Sequence, residues 1–121
     1  MVLDNGLKVM LISDPNAIKS SASLEVQAGT TQDPKGFSGI AKLLQMSLMK
    51  SSKKYAKEKA YTEFLLKNGG DSNSYTSLFN TNYHFEVYNS AFYDGLDRFS
   101  SFFVKPSFNK KSTIPEIEAI T

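Results

Sequence analysis

Cysteine is absent from the 121 residues, which excludes a disulfide framework and a thiolate metal site within this chain. That absence fits a reducing compartment, and a cytosolic setting is the reading it favours. Histidine occurs once, as His84; with no second imidazole to join it, it reads as a structural or surface residue rather than a metal ligand. No apolar run approaches the ~20 residues that cross a bilayer. Met1-Val2-Leu3-Asp4 lacks the basic and apolar regions of a secretory signal. Charge of one sign is scarce too: 14 basic and 12 acidic residues leave a net charge of +2. The balance makes no electrostatic case for nucleic acid or an anionic membrane as partner.

What is present is globular in composition, with 40% apolar and 21% charged residues. The length suits one domain with a real core and is too short for two ordinary ones. Leu7 to Ser13 follows the Asn5-Gly6 turn signal, is rich in β formers and predicts a strand. Ser20 to Ala28 alternates small or apolar with polar residues and predicts a second. After a Gly- and Pro-punctuated loop, a helix is expected from about Phe37 to Met49. Another is expected at Lys57 to Asn68, with Gly69 at its C′ position. Gly70 to Ser77 and Thr81 to Tyr88 read as a hairpin, with Tyr83, Phe85 and Val87 on one face. A helix over Ser90 to Phe103, capped by Ser90, presents Phe92, Leu96, Phe99, Phe102 and Phe103 and stops at Lys105-Pro106. Ser112 or Thr113 caps a last helix with Pro115 near its first turn. The order β-β-α-α-β-β-α-(α) predicts an α+β fold, an antiparallel-rich sheet with helices packed on one face.

The Phe37–Met49 helix organises the rest. Phe37, Ile40, Ala41, Leu44 and Leu48 form an apolar stripe at helical spacing. Lys42, Gln45, Met46 and Met49 form a second, at i, i+3, i+4 and i+7, so that the first three share a face. This is the frame of the His-x-x-Glu-His motif, which supplies two imidazoles to zinc and a carboxylate as base.

With Asn5 to Val9, Lys19 to Leu24, Gly29, Asp33-Pro34, Gly39 to Ala41, Lys53 to Tyr55, Gly69 to Ser77, Thr81 to Tyr83, Leu96 to Phe99, Phe102-Phe103, Glu116 and Ala119-Ile120 in order around it, the chain resembles the N-terminal domain of the pitrilysin/insulinase (inverzincin) metallopeptidases. The insulin-degrading-enzyme branch is the nearest match. The resemblance implies an insulinase-like α/β roll. Residues 1–121 would form a partial N-terminal peptidase domain, its last helix cut short, within a larger multi-domain protein. It places the two histidines on Lys42 and Met46 and the base on Gln45. A third zinc ligand would fall two residues beyond Thr121, and Glu116 would be a supporting carboxylate. It further implies that Asn73, Ser74 and Tyr75 lie beside a substrate peptide that adds to the sheet edge.

The substitutions undo the chemistry. Catalytic zinc takes three protein ligands and a water. An ammonium at Lys42 repels the ion, and a thioether at Met46 suits soft Cu(I) better than zinc. An amide at Gln45 is no base near neutral pH. We therefore expect no catalytic or metal residue in this segment, no cofactor of its own where the family holds zinc, and an inactive domain. Such a domain would bind peptide, shape a chamber, or support a homologous domain or partner subunit. An active zinc metalloendopeptidase with ligands outside the segment, and a pure assembly module, are the competing expectations.

Overall fold

A computed structural model describes residues 1–121. β1 (Lys19–Val26), α1 (Ile40–Leu48), α2 (Ala60–Lys67), β2 (Asp71–Thr76), β3 (Thr81–Tyr88), α3 (Phe92–Val104) and α4 (Lys110–Ile120) follow one another along the chain. The three strands form one antiparallel sheet in the order β1-β3-β2. The α+β expectation holds.

β3 is the central strand, and its alternation sets the core. Tyr83, Phe85 and Val87 are almost fully buried on one face, as side chains at period two must be when one face meets the helices. α3 lies across that face. Phe85 stacks on Phe92 with ring centroids 6.0 Å apart and meets Phe99 at 5.0 Å. Tyr83 and Phe103 meet edge to face at 5.1 Å, and α2 adds Tyr61 against Phe102 at 5.0 Å. α2 ends as its glycines dictate: Gly69 takes φ +64°, and Gly70 N–H donates to Leu65 O at 2.7 Å, the closure of a Schellman cap. A Cβ on Gly70 would sit 2.2 Å from Glu86 O, so only glycine lets the helix turn directly into β2 beside β3.

Three expectations are corrected. Leu7 to Ser13 is not a strand. Only a Val2–Lys8 bridge forms there, and Met10, Leu11 and Ile12 are 84%, 76% and 85% exposed. A strand exists only where a neighbour takes its hydrogen bonds: Leu7 and Val9 bond to Leu3 and Met1 in a short local turn-back, and no strand of the sheet pairs with this stretch. Of the apolar stripe of α1, Leu48 reaches the core, Phe37 and Ile40 lie beside Ile117 and Ile120 of α4, and Leu44 is exposed; Gln45 and Ser47 are the other buried residues of the helix. Ser90 does not cap α3. It lies in a 3-10 turn, Asn89–Ala91, and Ala91 holds the cap position. α4 starts at Asn109, whose side chain accepts from Lys111 N–H at 2.9 Å, so Pro115 falls inside the helix rather than in its first turn.

The start of α1 is set by a residue well before it. Asp33 Oδ2 accepts from Gly39 N–H at 2.7 Å and Oδ1 from Ala41 N–H at 2.9 Å. A carboxylate thus satisfies two of the orphan donors at the positive end of the helix dipole.

A charged latch ties the segment after α1 to α3. Asp97 Oδ2 accepts from Lys54 Nζ at 2.7 Å and from Tyr55 Oη at 2.5 Å. The Arg98 guanidinium lies 4.5 Å from the ring centroids of Tyr55 and Phe64. The bonds from Lys54 and Tyr55 hold the Asp97 carboxyl below its ordinary range. The same carboxylate raises Lys54 and Tyr55 above theirs. A depressed folded pKa gives stability that is whole above the ordinary carboxylate value and fades as pH falls through the lower folded one. The raised groups give stability that is whole below their ordinary values and fades as pH rises through the folded ones. Asp97→Asn is therefore expected to lower stability modestly between about pH 4 and about pH 10, where the linked contribution is whole, and to converge on the parent outside that window, the whole effect being small because the latch is solvent-screened. Chemical melts across pH check this; identical profiles for the two proteins would count against the latch.

Candidate functional site

Hydrogen-bond phase decides which backbone groups the sheet leaves free. Asn89 N–H donates to Ile18 O at 3.3 Å, just beyond the β1–β3 ladder, and Tyr88 N–H donates to Asn68 O at 3.1 Å on the β2 side. Antiparallel ladders alternate. The odd residues of β3 therefore face β1, and Asn82, His84 and Glu86 exchange bonds with Tyr75, Asn73 and Asp71, their register partners. Ser72, Ser74 and Thr76 are left with N–H and C=O groups pointing out of the free edge of β2. Two of these donors are covered from within the strand: Ser72 N–H donates to Asp71 Oδ1 and Ser74 N–H to Asn73 Oδ1, both at 2.8 Å.

The side chains of the same three residues turn toward the helices. Ser72 Oγ accepts from Tyr61 Oη at 3.2 Å and donates to His84 O at 2.9 Å. Burial pushes the Tyr61 phenol up to about 12, so it remains a donor. Ser74 Oγ accepts from Gln45 Nε2 at 2.8 Å, and Thr76 Oγ1 donates to Gln45 Oε1 at 3.0 Å. Lys42 Nζ donates to the same Gln45 Oε1 at 2.8 Å. Gln45, 6% exposed, is thus a clasp between α1 and β2, with every polar atom of its amide in use. Met46 is half-buried beside it, and Met49 packs against the core.

Of the three residues expected beside a peptide, Ser74 presents its backbone at the free edge. Asn73 and Tyr75 spend theirs on β3, and Asn73 reaches the edge through its side chain. Ser72 and Thr76 were not singled out by the sequence; their signal was the alternation of small hydroxyls through Ser72, Ser74 and Thr76. His84 hydrogen-bonds Asn82 Oδ1 through Nδ1 at 2.9 Å. Glu116 pairs with Lys50 Nζ at 2.5 Å, and Lys50 also donates to Ser112 O at 3.1 Å, fastening α4 to the end of α1.

The arrangement of three strands and covering helices is that of the pitrilysin-type peptidases. It superposes on the crystal structure of pitrilysin with a TM-score of 0.85 at 37% identity, over 90% of this chain and 12% of that one. A protease from Helicobacter pylori shares the fold, with a TM-score of 0.86 at 24% identity over 98% of this chain and 29% of that one. The family model described as Insulinase (Peptidase family M16) matches residues 8–121, and the chain belongs to that family of zinc metallopeptidases. It is 48% identical over 118 residues to the A-factor-processing enzyme of Saccharomyces cerevisiae. It is 42% identical over 120 residues to insulin-degrading enzyme-like 2 of Arabidopsis thaliana, and 42% over 118 residues to the insulin-degrading enzyme of Homo sapiens. These matches take in 98–99% of this chain and 12% of each relative.

The residues at the motif positions do not fit the family's zinc. Lys42 brings a cation whose ammonium is engaged with Gln45, Gln45 brings an amide engaged with β2, and Met46 brings a thioether, a poor donor for this borderline ion. No three His, Asp or Glu side chains in residues 1–121 are grouped to hold a metal instead.

Proposed function

We propose that this chain is a non-catalytic insulinase-family domain that holds extended polypeptide along the free edge of β2. The observation that carries the reading is the Gln45 clasp. The position that would activate a metal-bound water is a neutral amide hydrogen-bonded to Ser74, Thr76 and Lys42. This gives it a mechanical task, fixing the edge strand against α1, in place of a proton-transfer task. The edge itself keeps what peptide pairing requires, a row of outward N–H and C=O groups at Ser72, Ser74 and Thr76. Asp71 and Asn73 occupy two of those donors in the resting state, which also guards the strand against pairing with stray edges. An incoming peptide displaces them.

Elemental analysis of the purified protein after dialysis against zinc tests the first half of the reading. Well under one zinc per chain is expected; one bound per chain would overturn it. Hydrogen exchange in the presence of an extended peptide tests the second half. The amides of Ser72, Ser74 and Thr76 are expected to slow, while Asn73 and Tyr75, already in the ladder, change little. An edge that no peptide protects would leave assembly as the domain's role.

A further inference from the structure

Four ion pairs form in the chain: Lys19–Glu86, Lys50–Glu116, Lys54–Asp97 and Lys57–Glu63. Lys42 belongs to none of them. It is half-buried, and its one hydrogen bond goes to Gln45 Oε1, an oxygen it shares with the Thr76 hydroxyl. An ammonium has three N–H donors, so two are left over at a site already partly withdrawn from water. Through Gln45, the cation sits against the Ser74–Thr76 end of the edge strand. At the other end of that strand, Met49, Tyr61, Leu65 and Leu66 line a recess of about 240 Å³ beside Ser72 and Ser74.

We propose that Lys42 is a specificity-determining residue, taking the carboxylate of an acidic side chain on the peptide paired with β2, so that the domain selects acidic extended segments. The proposal rests on the β2 edge reading. Charge complementarity carries it: Lys42 is a half-buried cation in no ion pair at the Ser74–Thr76 end, the Asp71 carboxylate lies at the opposite end of the edge on Ser72 N–H, and a charge-assisted bond to carboxylate is about twice as strong as a neutral one. Geometry adds a pattern. A peptide running antiparallel to β2 passes the Thr76 end first and the Ser72 end later. Side chains on one face recur every second residue, about 7 Å apart. The preferred segment therefore reads acid, any residue, apolar, with the acid on Lys42 and the apolar side chain in the recess.

The test uses labelled, C-terminally amidated peptides of β-forming residues carrying Glu-x-Leu or Gln-x-Leu, read by fluorescence anisotropy. The Glu peptide is expected to bind on the order of tenfold tighter, or about 1.4 kcal/mol, with the ratio narrowing in high salt. Lys42→Gln is expected to bring the ratio to near one and Lys42→Arg to keep it, circular dichroism showing both folded. Equal binding of the two peptides by the unaltered protein would overturn the role of Lys42 and leave the edge reading standing. A preference restored to the Gln peptide by a free C-terminal carboxylate, and equal to that of Glu, would overturn the side-chain assignment. Binding of neither peptide, with no exchange protection at Ser72, Ser74 and Thr76, would bring down the edge reading and this inference with it.

Discussion

Phe85→Ala is expected to cost about 3–5 kcal/mol, the range for removing a fully buried aromatic ring, and this is a large part of the 5–15 kcal/mol that typically holds a domain together. Phe85 is 1% exposed and touches the rings of Phe92 and Phe99 from the centre of the sheet. The hole it would leave cannot be filled from α3, because the helix approaches there through Gly95. A Cβ added to Gly95 would lie 2.8 Å from the Phe85 ring, and glycine has no side chain to turn into the space left when that ring is removed. Denaturant midpoints read the effect. Phe79→Ala, at a residue 67% exposed on the hairpin turn, is the control and should shift the midpoint little. Comparable shifts for the two would mean that the aromatic cluster is not the core.

The second large effect belongs to Gln45. Gln45→Ala is expected to cost about 2–3 kcal/mol, since it removes three hydrogen bonds and leaves the Ser74 and Thr76 hydroxyls without their partner in a half-buried cleft. Gln45→Glu should be far milder. The Ser74 hydroxyl can turn to donate to the carboxylate, Thr76 keeps its acceptor, and Lys42 gains an ion pair. Yet that variant is expected to hydrolyse no peptide, because it returns the base without the two imidazoles at Lys42 and Met46. Thermal melts and a peptide-cleavage assay, run on both variants, separate the two roles. An Ala variant as stable as the parent would remove the clasp. Cleavage by the Glu variant would show that the zinc site had survived in some other form.

The hairpin, its inward Tyr83, Phe85 and Val87, the C′ glycine of α2 and the helix of phenylalanines were all legible along the chain. Each rests on local periodicity or on a backbone conformation that one residue type adopts readily. The missing histidines were legible for a different reason: they are a matter of which donors are present, and no fold can make an imidazole from Lys42 or Met46. The misread elements depend on partners distant in sequence. Leu7 to Ser13 has the composition of a strand and finds no neighbour beyond the short Val2–Lys8 bridge. The burial of a glutamine on α1 depends on Ser74, Thr76 and Lys42, which take up its amide.

By itself, then, the sequence determined the family frame, the α+β class, the inward face of β3 and the donor types, an ammonium, an amide and a thioether, at Lys42, Gln45 and Met46. Only the tertiary structure decided that the amide at Gln45 clasps α1 to β2, that Ser72, Ser74 and Thr76 hold the free edge, and that Lys42 stands beside it without a counter-ion. Composition and spacing act along the chain. Hydrogen-bond phase across a sheet, and which cation is left unpaired, are set only when strands and helices far apart in sequence are brought together.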